Sequence, residues 1–558
     1  MIWYFLLLLQ SITIHLYYNI QFTILLYSLK VTGANAEMST QPPNFIFFIT
    51  DQQRADWLGC YGHKIVRTPN IDSIADNGTR FNNFFVASPV CMPNRASLLT
   101  GRYPTQHGLR YNGCTLPHRA NTFVDVLSKA GYKTATIGKS HLQPFTDKDP
   151  LRELDIESRP IKEAWKPESG DFYQEEPERY SADKRYVFKT PYYGYQHVDM
   201  VTRHGDRCGG HYQQWFRETT PNWRELQNDG NQLAHNYNCP QAFRTPIPED
   251  KYPTTYIKNQ TIDYLKNSIQ TDVPFFLFIS FPDPHHPFNP PGKYWDMYSP
   301  DDFEVPLTYE MHRNPPPPMK WLHNNWKKNS GQLTKQTAVM MENEKLKQAM
   351  ALTAGMITMV DDAIGEIMST LKETSYYQNT ITCFNSDHGD YLGDYNMLLK
   401  GALPLKSITR VPFIWSDPTL EQKKSTNALS STLDISATIL DRAGIAPYFG
   451  VKGKSLLKTL TSESSVRDEL LVEFNDGGAR LGFKKPARVR SLITKTHRFT
   501  IYLDNTWGEL YDLITDPHET CNLWDDPCSI KIKSKLSLLM NQELISLMDE
   551  SPRSKRQA

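Results

Sequence analysis

Four strongly apolar runs constrain the fold of this chain more than any other feature. They are Asn44–Thr50, Thr134–Gly138, Phe275–Phe281 and Ile381–Ser386. Near-continuous apolar strands are typical of parallel sheets whose two faces are both covered by helices. Helix-like stretches precede the second and fourth runs, at Asn121–Ala130 and at Ala349–Leu371, where apolar residues recur at helical spacing. The sequence therefore predicts an α/β fold with a mostly parallel central sheet flanked by helices.

Charged and imidazole side chains follow each apolar run, where the predicted strand ends. They are Asp51 after the first run, Lys139 and His141 after the second, His285 after the third, and Asp387 and His388 after the fourth. In open α/β sheets, sites form outside the carboxyl ends of the strands. We therefore expect these side chains to meet in one active site.

The chain is long enough for more than one compact core. Its 558 residues, of which 39% are hydrophobic, exceed what a single-core domain usually holds. We predict a catalytic domain over residues 37–455, with polar insertions near 145–255 and 288–345 that shape the rim of the site. Short alternating segments such as Arg488–Thr494 predict a smaller C-terminal domain over 456–558 that contains an antiparallel sheet.

The N-terminal residues differ in composition from the rest of the chain. Met1–Leu29 is apolar and uncharged, and Ala34-Asn35-Ala36 matches a small-x-small cleavage site. We predict a signal peptide over residues 1–36, with a retained membrane anchor as the open alternative. A signal peptide implies the secretory pathway and a secreted or lysosomal location. Glycosylation sequons at Asn77 and Asn259 agree with a glycoprotein but are common by chance.

The most specific motif begins at Cys91. It reads Cys91-Met92-Pro93-Asn94-Arg95-Ala96-Ser97-Leu98-Leu99-Thr100-Gly101-Arg102. Taken alone, Cys91 would be interpreted as a buried structural cysteine, which is the ordinary state of a free cysteine. The surrounding residues change that interpretation, because the segment resembles the sulfatase signature, a Cys followed by x-Pro-x-Arg and then by Leu-Thr-Gly.

The resemblance to sulfatases extends over residues 43–525. Matching segments are Tyr103–Gly108, Gly138–Leu142, Pro284–Phe288, Ser386–Asp390 with Lys400, and Gly508–Leu513. It implies an alkaline-phosphatase-like fold, with a mixed, mostly parallel sheet and a smaller C-terminal domain. It also implies a sulfuric ester hydrolase that acts on sulfate monoesters of sulfated carbohydrates or on aryl sulfates.

The resemblance also assigns chemical roles. In sulfatases the signature cysteine is oxidised to formylglycine, and one hydroxyl of the hydrated aldehyde attacks sulfur. Cys91 would be the modified residue and would need a formylglycine-generating enzyme during maturation. Arg95 and Lys139 would hold the aldehyde hydrate, and His141 would take the proton of its second hydroxyl. Substrate binding is assigned to Lys139, His285 and Lys400. The last two would also assist the leaving oxygen.

The same resemblance predicts a divalent metal ion. Its ligands would be Asp51, Gln52, the diol derived from Cys91, Asp387 and His388. Many sulfatases have two successive Asp residues where this chain has Asp51-Gln52, so one negative charge is missing. Carboxylate oxygens suit hard cations, and we expect Ca²⁺, with Mn²⁺ or Mg²⁺ as the open alternatives.

Two other functions remain as alternatives. A phosphonate monoester hydrolase or phosphodiesterase of the same superfamily also uses the oxidised cysteine and is compatible with Asp51-Gln52 and His388. A catalytically silent protein that binds sulfated glycans would be expected to lack some of the site residues. His204 and His211 could contact substrate or belong to a surface loop. The 61 basic and 61 acidic residues leave no basic excess, so we expect no nucleic acid partner. The sequence leaves the oligomeric state open.

Overall fold

The computed structural model describes residues 42–151, 158–182, 184–228, 230–269, 272–329, 336–462 and 464–557. The strands of this part, β1 to β17 in chain order, span Asn44–Thr50, Thr79–Phe81, Phe84–Phe85, Lys133–Gly138, His197–Thr202, Gly209–Gly210, Phe275–Ser280, Val339–Met340, Thr380–Ser386, Met397–Leu398, Phe413–Ser416, Ser425–Thr426, Ser430–Ser431, Glu469–Asn475, Arg488–Thr494, His497–Tyr502 and Gly508–Asp512. The α-helices, α1 to α13, span Pro69–Asp76, Cys91–Thr100, Pro104–His107, Phe123–Lys129, His211–Thr219, Trp223–Leu226, Pro253–Asn267, Pro317–Lys327, Asn343–Lys372, Lys406–Thr409, Leu433–Arg442, Leu457–Thr461 and Ile530–Ser546.

A nine-stranded sheet in the order β12-β2-β11-β9-β1-β7-β4-β5-β6 forms the centre of the fold. Strands β9, β1, β7, β4 and β5 are successive parallel neighbours. On either side of this block, β11 and β6 run antiparallel to the strands they pair with. The predicted mixed, mostly parallel sheet is confirmed, and each of the four apolar runs forms a strand of the parallel block.

Strand β1 shows why the runs are apolar at every position. Ile46 and Phe48 belong to the apolar core on one face of the sheet, which also contains residues of α7 and α9. Phe45, Phe47 and Ile49 belong to the core on the other face, with residues of α2, α4 and α11. Successive side chains of a strand point to opposite faces, so two cores require two apolar sets.

The C-terminal part contains a separate four-stranded antiparallel sheet in the order β14-β15-β16-β17. This confirms the predicted antiparallel sheet, with β15 at Arg488–Thr494 as expected. Strand β14 and helix α13 were not predicted. The boundary of a C-terminal domain at residue 456 stays a prediction.

The predicted rim insertion near 145–255 does more than form loops. It supplies β5, which pairs with β4 in the central sheet, and helix α5, which follows β6. Because this segment is polar, its hydropathy pattern did not indicate a strand. Its Asp199 is buried, and the hydroxyl of Tyr256 donates a 2.6 Å hydrogen bond to Asp199 Oδ1.

The predicted signal peptide or anchor over residues 1–36 lies outside the described residues. Within the part of the chain that the structure describes, no helix is both long enough and apolar enough to span a membrane.

The close approach of β4 and β7 at Gly138 leads to a prediction about stability. Gly138 has φ +111°, and a Cβ there would lie 2.0 Å from the carbonyl oxygen of Ser280 in the neighbouring strand. Gly131 has φ +96° with no atom within 4 Å of such a Cβ. We expect Gly131→Ala to lower the free energy of unfolding by about 1–2 kcal/mol from backbone strain. Gly138→Ala should lower it by about a further 1–3 kcal/mol, because the strands must separate.

Chemical denaturation of the two variants, followed by circular dichroism, measures the difference. Equal losses would contradict the close approach of β4 and β7 at this position.

Candidate active site

The predicted site residues come together at the carboxyl edge of the parallel block. They are Asp51 and Gln52 after β1, Lys139 and His141 after β4, His285 after β7, Asp387 and His388 after β9, Lys400 after β10, and Cys91 and Arg95 on α2; all are buried. Their convergence follows from topology, because neighbouring parallel strands end at the same edge.

Cys91 is the first residue of α2 and is 1% exposed. Its Sγ lies 3.4 Å from His388 Nε2 and 3.5 Å from Lys400 Nζ. Burial alone would raise the pKa of this thiol, but the positive charge of Lys400, with help from Lys139 and His388, lowers the pKa to about 7. Cys91 therefore sits in the electropositive surroundings that are typical of a reactive cysteine.

Arg95 lies one helical turn after Cys91, on the same face of α2. Its Nε donates to Asp387 Oδ2 at 2.7 Å. Its Nη1 donates to the carbonyl oxygen of Lys139 at 2.9 Å and to Ser280 Oγ at 2.8 Å. Arg95 thus ties the ends of β9, β4 and β7 to α2. Its predicted contact with an aldehyde hydrate stays a prediction.

A buried ion pair joins the ends of β1 and β4. Lys139 Nζ donates to Asp51 Oδ2, and both side chains are fully buried. Burial would raise the pKa of Asp51, but Lys139, His285 and His204 hold it well below its usual value. Asp51 is therefore an anion at neutral pH.

His204 belongs to this site, although the sequence left its role open. Its Nε2 lies 2.8 Å from Lys139 Nζ, and its ring stacks on His285 at 3.5 Å between centroids. His204 follows β5. A sequence pattern that indicated this strand would have placed His204 at the same edge of the sheet. His211 is structural: its Nδ1 accepts from the backbone N–H of Met200 at 3.0 Å.

Lys400 lies at the centre of the site. Its Nζ is 2.7 Å from Gln52 Oε1, 3.1 Å from His285 Nε2 and 3.0 Å from His388 Nε2. Gln52 also donates from Nε2 to Asp390 Oδ2 at 2.5 Å. The amide of the predicted ligand Gln52 therefore orients the ammonium group of Lys400, and its role as a metal ligand stays a prediction.

Two histidines of the site are neutral at neutral pH. Burial lowers the pKa of His285 well below its usual value, and the nearby His204, His286 and Lys400 lower it further. Burial and the charge of Lys139 likewise lower the pKa of His141. His141 stacks on Phe145 at 3.8 Å, and its Nδ1 has no hydrogen-bond partner among the described residues. A neutral imidazole can accept a proton.

Four side chains form a group that fits a divalent cation, and we call it the four-donor cluster: Asp51, Cys91, Asp387 and His388. One ligand atom from each lies within 4.8 Å of all the others. Asp51 Oδ1 is buried and accepts no hydrogen bond from any described residue. A buried carboxylate oxygen without a donor is costly unless a cation compensates it.

The orientation of His388 supports this fit. Its Nδ1 lies 2.8 Å from the carbonyl oxygen of Gly389, an acceptor that fixes the proton on Nδ1. The lone pair of Nε2 is thereby directed at the cluster, 3.5 Å from Asp51 Oδ1. Two carboxylates and one imidazole nitrogen suit Ca²⁺, Mn²⁺ or Mg²⁺, and the donor set alone does not choose among them.

Comparison with known families gives two matches. Residues 43–184 and 182–445 match the family model described as Sulfatase. Residues 397–546 match the model described as N-sulphoglucosamine sulphohydrolase, C-terminal.

Individual proteins agree with these matches. The chain is 30% identical to an arylsulfatase of Clostridium perfringens, over 86% of this chain and 90% of that protein. It is 24% identical to an N-acetylglucosamine-6-O-sulfatase of Bacteroides thetaiotaomicron, over 92% of this chain and 88% of that protein. Among solved structures, the phosphonate monoester hydrolase of Agrobacterium radiobacter superimposes with a TM-score of 0.70 at 22% sequence identity. The match covers 91% of this chain and 97% of the hydrolase chain, and it shows a shared fold.

The four-donor cluster predicts the effect of a neutral substitution. We expect Asp51→Asn to weaken binding of Ca²⁺ or Mn²⁺ by more than the about 10- to 100-fold typical of changes outside the ligand shell. Isothermal titration of metal-free protein measures the affinity. Asp283→Asn is the matched control, because Asp283 is buried at the same edge but is held by Thr254 and Tyr252, and burial raises its pKa to about 7. Equal affinity in both variants would contradict the cluster.

Proposed function

We propose, from the premise that this chain belongs to the sulfatase family, that it hydrolyses sulfate monoesters at this site with an aldehyde made from Cys91. One observation carries the proposal. Cys91, on α2, lies next to the ends of two strands that supply Asp51, Asp387 and His388, within reach of the ammonium group of Lys400. A structural cysteine would have no need of this concentration of buried charge.

Oxidation of Cys91 to formylglycine would supply a hydrated aldehyde whose hydroxyl is the nucleophile. The surroundings support this role for position 91. The residue starts a helix, where backbone N–H groups and the helix dipole favour negative charge. A formylglycine-generating enzyme would carry out the oxidation during maturation, and passage through the secretory pathway to a secreted or lysosomal location is part of the same proposal.

The positive charge of two ammonium groups would hold the sulfate group. Lys400 and Lys139 provide two ammonium groups, and His285 and His204 provide ring nitrogens beside them. Lys400, Lys139 and His285 are already positioned and buried, so little reorganisation is needed when charge develops on the leaving oxygen. We assign substrate binding to Lys139, His285 and Lys400, and assistance to the leaving oxygen to the last two.

His141 would accept the proton released when sulfate is expelled. Its low pKa keeps the ring neutral, and its Nδ1 is free of hydrogen bonds to described residues. Its backbone N–H donates to Glu175 Oε2 at 2.9 Å, which fixes the loop that carries it. A neutral, positioned imidazole is the usual general base.

The four-donor cluster would hold the divalent cation, with Gln52 as a further neutral oxygen donor. The cation would lower the pKa of the nucleophilic hydroxyl and neutralise charge on the sulfate oxygens. Arg95 would then act on the cluster through Asp387, because its ion pair with that carboxylate fixes the position of the ligand. We expect Ca²⁺ in this site.

Sulfated carbohydrates and aryl sulfates are the proposed substrates. The relatives named above are an arylsulfatase and an N-acetylglucosamine-6-O-sulfatase, one of each class. A silent glycan-binding protein would be expected to lack some of the site residues, and this chain has the full set: Cys91, Arg95, Lys139, His141, His285, Asp387 and Lys400.

The second candidate is a phosphonate monoester hydrolase or phosphodiesterase. Asp51-Gln52 and His388 are compatible with that branch of the superfamily, which also uses the oxidised cysteine. The crowding around Lys400 opposes it, since a diester carries a second arm that needs space where these donors lie.

The modification of Cys91 is directly testable. Mass spectrometry of the peptide spanning Cys91, from protein made in cells that contain a formylglycine-generating enzyme, should show an aldehyde in place of the thiol. Cys91→Ala should abolish hydrolysis of 4-nitrophenyl sulfate and leave the thermal unfolding midpoint nearly unchanged, because the side chain removed is small. The proposed mechanism would be wrong if unmodified thiol protein were fully active.

Substrate preference separates the two candidate functions. We expect kcat/KM for 4-nitrophenyl sulfate to exceed that for the matching phosphodiester and phenylphosphonate monoester. Lys400→Ala should lower kcat by about 100-fold or more and change KM less, because this ammonium group meets charge that develops on the leaving oxygen. Lys406→Ala, which removes a nearby lysine outside the site, is the control. A preference for the phosphodiester would move the chain to the second candidate.

A further inference from the structure

Glu175 is a buried carboxylate that lies outside the four-donor cluster. It belongs to the polar insertion near 145–255 and is 0% exposed. No Lys, Arg or His side chain pairs with it among the residues that the structure describes; its partners are backbone N–H groups and the hydroxyl of Tyr192. A buried carboxylate is costly without compensation, so these donors are what stabilises it.

Three successive backbone N–H groups of the loop after β4 point at the Glu175 carboxylate. His141 donates to Oε2 at 2.9 Å. Leu142 and Gln143 donate to Oε1 at 2.9 and 3.0 Å, and the hydroxyl of Tyr192 donates to the same oxygen. Successive N–H groups that converge on one anion form a concave site for negative charge. One oxygen of the carboxylate therefore holds His141 alone.

The side chain of Gln143 ties the same loop to the segment that contains Glu175. Gln143 Nε2 donates to the carbonyl oxygen of Asp171 at 2.9 Å, and Gln143 Oε1 accepts from the backbone N–H of Gln174 at 2.8 Å. With the three bonds to Glu175, five hydrogen bonds join residues 141–143 to residues 171–175. The insertion thus fixes the conformation of a loop of the active site.

The imidazole of His141 depends on this restraint. His141 has φ +59°, in the left-handed region that residues with a Cβ rarely adopt. No described residue forms a hydrogen bond with its ring, which only stacks on Phe145 at 3.8 Å between centroids. The direction of the ring is therefore set by the backbone at His141, and Glu175 holds that backbone.

We infer that Glu175 is the positioning residue of His141 and that it controls the second of the two chemical steps. This inference rests on the proposed function. In the first step a hydroxyl oxygen of the hydrated aldehyde loses its proton and bonds to sulfur, and the departing oxygen takes up a proton as the alcohol leaves. This step does not use His141.

In the second step the remaining hydroxyl gives its proton to His141. The electron pair of that O–H bond forms the C=O bond, and the C–O bond to the sulfate group breaks, so that aldehyde and sulfate result. A displaced His141 slows this step alone, and the sulfated enzyme then accumulates.

Glu175→Gln keeps the size of the side chain and tests the inference in the full-length enzyme. The amide oxygen can replace Oε1, but the NH₂ group then faces the backbone N–H of His141. We expect kcat for 4-nitrophenyl sulfate to fall by about 10- to 100-fold. KM should fall with it, so that kcat/KM, which reports the steps up to alcohol release, stays within about threefold. Rapid mixing should show a nitrophenol burst of about one equivalent per aldehyde.

Asp361→Asn is the matched control. Asp361 is buried, accepts from the backbone N–H groups of Asn70 and Ile71 at the start of α1, and has a pKa that burial raises to about 7. Loss of folded protein alone lowers kcat at constant KM and gives no burst, and this is the result expected of the control. If Glu175→Gln does not fold, Tyr192→Phe, which removes one donor to Oε1, should give the same burst with a smaller loss of kcat.

A measurement without turnover separates this inference from the proposed function. Deuterium exchange at Cε1 of each histidine ring, followed by mass spectrometry, should change at His141 in Glu175→Gln and stay constant at His312, a buried histidine of another loop. If the wild type hydrolysed no sulfate ester while this change persisted, the proposed function would fail and the positioning of His141 would stand. The inference would be overturned if exchange at His141 were unchanged, or if Glu175→Gln of an active enzyme gave no burst.

Discussion

The parallel pairing of β9, β1, β7, β4 and β5 is the constraint on which the rest of this structure depends. The register aligns Thr50 with Ser386 and Gly138 with Ser280, so the residues that follow these strands emerge at one level. A slip by one residue would turn every side chain of a strand to the opposite face and would also exchange the two apolar sets of β1. The two cores thereby hold the register, and the register assembles the site.

The charges at this edge are costly to bury, and their arrangement offsets that cost. Arg95 pairs with Asp387, and Lys139 pairs with Asp51, with all four side chains almost fully buried. Removal of one partner of a buried pair typically destabilises a protein by about 3–5 kcal/mol, because the other charge is left unpaired. The residues proposed for chemistry therefore also join α2 to three strand ends, so their substitution lowers stability as well as activity.

The sequence predicted those parts of the fold that apolar patterns control. The four buried runs and the long helix α9 could be predicted because both cores contain apolar side chains at nearly every position that faces them. Strand β5 was missed because His197–Thr202 contains a buried Asp199 that its neighbours satisfy, which no pattern of hydropathy reveals. His204 was left open for the same reason. The contact of Gln52 Oε1 with Lys400 depends on the direction of the Gln52 side chain, and Gln52 itself has φ +65°, which only the folded chain determines.

The central claim is that an aldehyde derived from Cys91 performs the hydrolysis. The most direct measurement compares turnover of 4-nitrophenyl sulfate among preparations that differ in aldehyde content, titrated with a carbonyl-reactive hydrazide under saturating Ca²⁺. We expect turnover to rise in proportion to the aldehyde fraction and to extrapolate to zero when no aldehyde is present. Turnover that is independent of the aldehyde fraction would contradict it.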